Sequence, residues 1–333
     1  MDIEKIRVSL GSASVLKLGT IANFKDPPTT CYIMTYKEGH CTANCGFCPQ
    51  ARSSSSSEEW LSRIIWPVFL FKDFLTKLKY IQPSKKFKRI CIQTLNYQGN
   101  FNDLKEIIFH IKKNINIPIS VAIPPMHKDE LNQLKNMGIE RVGIALDGCT
   151  PEIFEEIKGS QVDGPYRWEN HIQTLKEALE VFSKGFVSTH IIIGLGETEQ
   201  DVLERIEELH RLGILVSLFA FTPIKGTKFE SINQPSLLNF RKVQLGRYLI
   251  VNKNKELKAF TFNRTGNLIN INISKKELKN IIDNTNAFLT SGCPGCNRPY
   301  YTSKPSGPIY NYPRMLNEKE QQEIYNLLKN LVI

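Results

Sequence analysis

The chain has 333 residues, 41% of them apolar, and a formal net charge of +10. That length supplies one large domain or two ordinary ones, with enough apolar residues for a sizeable core. No run of about 18 apolar residues occurs, which argues against a membrane-spanning helix. The start, MDIEKIRVSLGSASVLKLGT, lacks a basic region followed by an apolar stretch, so no signal peptide is expected and the expected compartment is the cytoplasm.

After about 30 residues the pattern becomes regular. CYIMTY (31–36) reads as a strand, and a cysteine-rich loop and a serine run at 53–57 follow. EEWLSRIIWPVFLFKDFLTKLKYI (58–81) reads as helical, with apolar positions at three- and four-residue steps. RICIQTL (89–95), ISVAI (119–123), RVGIALD (141–147), FVSTHIIIG (186–194) and VSLFAFTP (216–223) read as further strands. Amphipathic helices separate them, several ending at a glycine: Gly138, Gly185 and Gly213. The strands are near-continuously apolar, as parallel strands covered on both faces are. Six strands alternating with helices predict a parallel sheet or a partial α/β barrel, whose ligands sit on the loops after the strands. QTLN, ALDG, GLGET and TPIKGT all fall on such loops. Beyond residue 235 come a helix, the strand LKAFTFN, a second helix, an aperiodic stretch rich in Gly, Pro, Tyr and Cys, and a last helix from about 317 to 331. The expected division is an extension at 1–30, a partial barrel at 31–265 and a C-terminal extension at 266–333.

The positive charge favours acidic partners: nucleic acid, an acidic protein or an anionic cofactor. Residues 72–89 hold seven basic residues against one Asp, which also describes a solvated helix and loop. No zinc finger or aromatic-interleaved basic motif accompanies them, so nucleic acid is a weak expectation.

Of eight cysteines, five lie in two tight groups. In a reducing compartment such grouping points to metal binding or catalysis rather than disulfides. Cys41, Cys45 and Cys48 form C-x3-C-x2-C on the loop after the first strand. Structural zinc usually takes four ligands. Three thiolates suit a [4Fe–4S] cluster whose fourth iron is free for a small molecule. Phe47, just before the third cysteine, is placed to shield it. Cys293 and Cys296 form CPGC; they read as half a zinc ribbon, a chance pair, or two ligands of a second cluster. Cys91 is the first choice as third ligand there, with Cys31 and Cys149 as rivals, and each lone cysteine also reads as core packing.

C-x3-C-x2-C with an aromatic before the third cysteine, on the first loop of an α/β barrel, resembles the radical S-adenosylmethionine (SAM) enzymes. CGFCPQ is similar to the corresponding segment of biotin synthases. HIIIGLGETEQD resembles the fifth-strand motif, through Ile192, Gly194 and Glu197, with His190 where the family has glycine. ALDGCTPEIF resembles the segment holding the ribose, which places Asp147 there. FTPIKGTKF, with Thr222, resembles the segment near the adenine, and Gln93 to Asn96 fall where the methionine amino group is met. The resemblance implies a partial (β/α)6 TIM-like barrel, a [4Fe–4S] cluster on Cys41, Cys45 and Cys48 that binds SAM, and a low-potential electron donor. It implies further that the cleaved cofactor yields a radical which takes hydrogen from an unactivated carbon.

Biotin synthases need a second cluster held by three barrel cysteines and an arginine. Cys91 stands at the first such position; ISVAI has no cysteine at the second, and the third falls near Ser188. This argues against biotin synthase itself. The barrel with its CPGCNRPYY…YNYPR tail, and with CPQAR followed by LSRIIWPVF, resembles the two-protein lipoyl synthases. That resemblance implies sulfur insertion into an octanoyl chain on a lysine of a small acidic carrier protein, a second radical SAM protein as partner, and an auxiliary [4Fe–4S] cluster on Cys293, Cys296 and Cys91 as sulfur source. Alternatives are another radical SAM enzyme, for methylthiolation or cofactor maturation, and a non-enzymatic zinc or iron–sulfur protein that binds nucleic acid. Arg298, Tyr300, Tyr301 and Arg314 fall near the second cysteine group in sequence, where tail packing is the competing role. Arg167 and Trp168 read either as cavity residues or as packing at a helix start.

Overall fold

The computed structural model describes residues 3–19, 24–81, 84 and 86–333. Residues 1, 2, 20–23, 82, 83 and 85 lie outside it, and with them parts of the expected N-terminal extension and of the basic run. Among the described residues the largest sheet has eight strands. In chain order the first elements are β1 (Lys5–Val8), α1 (Leu10–Leu16), β2 (Thr30–Thr35), β3 (Trp60–Leu61), β4 (Ile64–Ile65), β5 (Val68–Leu70) and α2 (Phe71–Ile81). Then come β6 (Arg89–Gln93), α3 (Asn100–Asn114), β7 (Ile119–Ile123), α4 (Lys128–Asn136), β8 (Arg141–Ile144), α5 (Pro151–Ile157) and α6 (Trp168–Phe182). β9 (Val187–Ile193), α7 (Glu199–Leu212), β10 (Leu215–Ala220) and α8 (Leu237–Lys253) complete the repeating part. A hairpin, β11 (Phe260–Phe262) with β12 (Leu268–Ile271), leads to α9 (Lys275–Asn284) and, after a long irregular tail, to α10 (Glu318–Leu328).

The six strands expected from the sequence are β2, β6, β7, β8, β9 and β10. They lie side by side in that order, each parallel to the next. β1 and β5 extend the sheet antiparallel beyond β2, so residues expected in a separate N-terminal extension join it. Residues from all six parallel strands line one cavity, so the sheet curves into a partial barrel.

The strands are not covered by apolar packing on both faces. In β6, Ile90 and Ile92 are buried in the core, while Arg89, Cys91 and Gln93 face the cavity. In β9, Val187, Thr189, Ile191 and Ile193 are buried, while Ser188, His190 and Ile192 face the cavity. The period-two alternation puts apolar side chains toward the helices and chemistry-bearing ones inside.

The helix expected over 58–81 begins only at Phe71. Ser62 takes a left-handed φ of 52° in a tight hairpin that pairs Trp60 with Ile65 and Leu61 with Ile64. Pro67 then denies the chain a helical hydrogen bond. α2 itself buries Phe71, Phe74, Leu78 and Ile81 on one face. Other helices start where caps are available: Thr150 before Pro151, Thr198 in a capping box with Asp201, and Asn317 in one with Glu320. Among the described residues no helix is long and apolar enough to cross a membrane.

The six parallel strands leave a gap between β10 and β2, and the irregular tail fills it. On the β10 side Ser291 Oγ accepts from Leu218 N at 3.0 Å, and Asn311 Nδ2 donates to Leu218 O at 2.9 Å. On the β2 side Thr29 donates to Gly295 O at 2.5 Å, and Arg63 donates to Tyr300 O and Ser303 O at 3.0 and 2.8 Å. Buried Arg241 of α8 donates to the carbonyls of Ile309 and Tyr310 and pins the tail from behind.

Candidate active site

The cavity has a volume of about 300 Å³ and runs along the barrel. At the end formed by the strand C-termini stand Cys41, Cys45 and Cys48. Their loop is held by backbone bonds: Cys41 N to Gln50 O at 2.9 Å, Thr42 N to Asn96 O at 2.7 Å and Gly46 N to Ile157 O at 2.8 Å. Gly46 lies against the Phe229 ring, where any Cβ would come within 2.8 Å of it. The backbone N–H groups of Ala43 and Asn96 point at Cys41 Sγ, at 3.4 and 3.2 Å. Phe47 lines the cavity and packs against Ile157, Leu195 and Phe221, in keeping with a shielding role. The serine run is structural: Ser55 N and Ser54 Oγ both donate to Gly226 O, tying the first loop to the loop after β10.

Burial raises the pKa of all three thiols, Cys45 to about 12. Without an iron centre they are neutral at physiological pH, and a centre that binds them must displace their protons. Among the described residues no three His, Cys, Asp or Glu side chains stand close enough to share one mononuclear ion. Cluster thiolates each hold their own iron and stand further apart. Three half-buried thiols on one cavity wall, with backbone donors aimed at sulfur, fit a cluster.

Gln93, Asn96, Ile192 and Thr222 all line the cavity, as expected. Asp147 also lines it, with a left-handed φ of 64° and its backbone zipped to β9 through His190 O and Ile192 N. Its carboxylate is more engaged than the sequence suggested: Lys158 Nζ lies 2.6 Å from one oxygen and His190 Nε2 2.8 Å from the other. Burial alone would raise the Asp147 pKa, but Lys158 and His190 hold it well below the usual carboxylate range. Lys158 also donates to Ala145 O at 2.8 Å. Sequence reasoning missed Lys158; its only signal was a basic residue at the C-terminus of α5. Gly194 and Glu197 are not among the described residues that line the cavity. The Glu197 carboxylate accepts from Gly194 N and Leu195 N, at 2.5 and 2.9 Å, and so shapes the loop after β9.

Cys91, Cys293 and Cys296 line the same cavity, toward the N-terminal ends of the strands. Each sulfur has its own polar partner. Gln93 Nε2 donates to Cys91 Sγ at 3.0 Å. The Tyr32 hydroxyl meets Cys296 Sγ at 3.0 Å, and Ser120 Oγ meets Cys293 Sγ at 3.5 Å. Burial raises the Cys91 pKa to about 12 and that of Cys296 as well, with the Arg298 guanidinium opposing in both cases. The rivals separate cleanly: Cys31 and Cys149 are fully buried in the apolar core and do not line the cavity. Arg298 stacks on Tyr301 at 3.8 Å and lies over Phe219 and Tyr32. Tyr300 and Arg314 turn away instead, toward Asp26 and Glu320. Arg167 and Trp168 do not line the cavity either; Arg167 donates to Gly164 O and Tyr166 O, and Trp168 packs on Phe154. Their neighbours Tyr166 and His171 are the ones that face it.

The family model for the Radical SAM superfamily matches residues 39–209. Among curated proteins, the biotin synthase of Methanococcus aeolicus is 26% identical over 221 residues, covering 64% of this chain and 62% of the relative. That of Methanococcus vannielii is 26% identical over 239 residues, covering 69% and 66%. The chain thus matches less than two thirds of the length of either. Among solved structures, the FeFe-hydrogenase maturase HydG from Carboxydothermus hydrogenoformans superposes with a TM-score of 0.52 at 20% identity, covering 67% of this chain and 51% of that one. Methylornithine synthase gives 0.51 at 13% identity, covering 72% and 66%. At those identities the likeness is one of fold.

Proposed function

The chain belongs to the radical SAM superfamily, and from that premise we propose that it inserts sulfur into an unactivated C–H bond as a lipoyl synthase component. Its substrate is then an octanoyl chain on a small acidic carrier protein, and its partners are a second radical SAM protein and a low-potential electron donor. The superfamily's [4Fe–4S] cluster and SAM supply, when bound, the radical that removes hydrogen from carbon. Cys41, Cys45 and Cys48 would hold that cluster, and Gln93, Asn96, Asp147, Ile192 and Thr222 would surround SAM.

The observation that carries the reading is the second group of thiols. Cys91 comes from β6 and the CPGC pair from a tail about 200 residues away, yet all three face the cavity that holds the first group. This supports an auxiliary cluster placed where a substrate between the two groups meets both. The wall between them carries Met34 and Leu95, in the cluster against which Cys41, Cys91, Cys296 and Leu61 pack. Such a wall suits an aliphatic chain and excludes water from it. Arg298 places a fixed positive charge beside the second group, which favours thiolate ligands.

A second reading, a biotin-synthase-like activity, is favoured by the relatives' names. Against it, Ser120 and Ser188 line the cavity where further barrel thiols would be needed, and the missing thiols come from the tail. Anaerobic reconstitution tests the shared premise: two clusters give about eight irons per chain, falling to about four in Cys293→Ala/Cys296→Ala. Four irons in both proteins removes the sulfur-insertion reading. Incubation with an octanoylated carrier peptide and the partner protein then separates the two readings, since absence of a thiolated peptide rejects lipoyl synthesis.

A further inference from the structure

The two thiol groups sit at opposite ends of the cavity. The first is on the loops after the strands. The second touches Ser120 near the start of β7 and Tyr32 of β2, and its turn is held by Thr29, just before β2, through Gly295 O. There the wall is one turn thick: Gly292, Pro294 and Gly295 are exposed, while Cys293 and Cys296 line the cavity. The surrounding floor is built of small residues, Ser120, Gly143, Ser188, Ser217 and Ser291. A Cβ added at Gly292 would meet nothing closer than Ser217 Oγ at 3.5 Å.

The same floor is cationic. Buried Arg89 donates to Ser120 Oγ at 2.7 Å, and Ser120 in turn meets Cys293. Arg141 stands opposite Ser120 in the β7–β8 register and also lines the cavity. Lys88 is exposed and lies against Gly295 within the turn. Arg298 adds a fourth charge inside. Glu140, paired with both Arg89 and Arg141, is the carboxylate that offsets them. The four cations and one carboxylate leave an excess of positive charge around Cys293, which concentrates anions.

We propose that this end of the barrel, at the turn 293–296, is a separate inlet and binding site for a small sulfur anion, hydrosulfide. It serves the second thiol group without passing the SAM end. The inference rests on the sulfur-insertion reading, because a group that gives up sulfide must be resupplied once per round. The exchange is balanced: each hydrosulfide releases its proton to solvent and replaces one lost sulfide, with no change in the oxidation state of sulfur.

Two measurements on the full chain test it. In the metal-free protein, the rate of alkylation by anionic iodoacetate relative to neutral iodoacetamide is read at each cysteine by peptide mass spectrometry. The ratio at Cys293 should exceed that at Cys41 about tenfold, and Lys88→Glu should lower it several-fold at Cys293 alone. Equal ratios at both sites, or no effect of Lys88→Glu, overturns the inlet. In the reconstituted protein, 34S-labelled hydrosulfide should enter the acid-labile sulfide several-fold more slowly in Lys88→Glu, at unchanged iron content. An unchanged rate overturns the inlet as well. The iron count is independent of both, so a chain holding only four irons refutes sulfur insertion while the alkylation ratios still judge the inlet.

Discussion

Lys158→Met isolates the buried charge on which the Cys41 end of the cavity is built. The Lys158 and Asp147 side chains are only 5% and 6% exposed and lie 2.6 Å apart. Solvent therefore does little to screen the pair. Removing one partner of such a pair costs about 3–5 kcal/mol, because the other is left charged in an apolar setting. With a urea m-value near 3 kcal/mol/M, that is a fall of at least about 1 M in the midpoint. The pH dependence gives the sharper test. In the wild type the carboxyl pKa is lowered, so its contribution is complete above the ordinary carboxylate range and is lost only as pH falls through the folded value. In the variant His190 alone opposes burial, so the pKa rises from its wild-type value, and stability falls with rising pH wherever that pKa exceeds the ordinary carboxylate range. The gap between the two proteins should therefore widen from pH 5 to pH 8 in urea titrations of the metal-free chain. Asp147→Asn keeps the left-handed backbone, which asparagine tolerates, and Asp147→Asn/Lys158→Met should recover most of the loss. A gap that does not change with pH, or a double variant no better than Lys158→Met, would refute the argument.

Burial lowers the His171 pKa to about 3, and its ring packs edge-on against Phe154 and Tyr166. Its contribution is complete above pH 6.5 and is lost as pH falls toward 3, at up to about 1.4 kcal/mol per pH unit; His171→Gln should flatten the acid limb of stability against pH. Gly194→Ala forces alanine to a φ of 105° with its Cβ 2.7 Å from Pro235, for an expected loss of about 2–4 kcal/mol by denaturant titration. Arg241→Met leaves the Ile309 carbonyl without its donor and the Tyr310 carbonyl with Gln244 Nε2 alone. It should cost about 3 kcal/mol, and limited proteolysis should cut first within 291–316.

Much of the architecture is legible without coordinates. Six strand–helix alternations place the thiol trio, Gln93, Asn96, Asp147 and Thr222 on loops or strand ends that a parallel arrangement must gather at one end. Local patterns carry such information because strand order here follows chain order. The hairpin at 60–65 escaped because its apolar spacing matches a helix as well as a short strand pair, and only Pro67 argued otherwise. The polar inner face of β6 and β9 escaped because period-two alternation in short apolar strands is masked by residues such as Cys91 and Ile192. Long-range placement lay beyond the sequence altogether. Cys91, Cys31 and Cys149 are equivalent as letters; the fold turns one toward Cys293 and Cys296 and seals the other two in the core. Lys158 and His190 likewise meet on Asp147 only because α5 returns across the cavity and β8 and β9 pair in parallel. Local pattern alone settles which chemical groups the chain owns and on which loops they lie. The tertiary structure decided which of them share a cavity, because that depends on how the sheet curves and where a distant tail closes it.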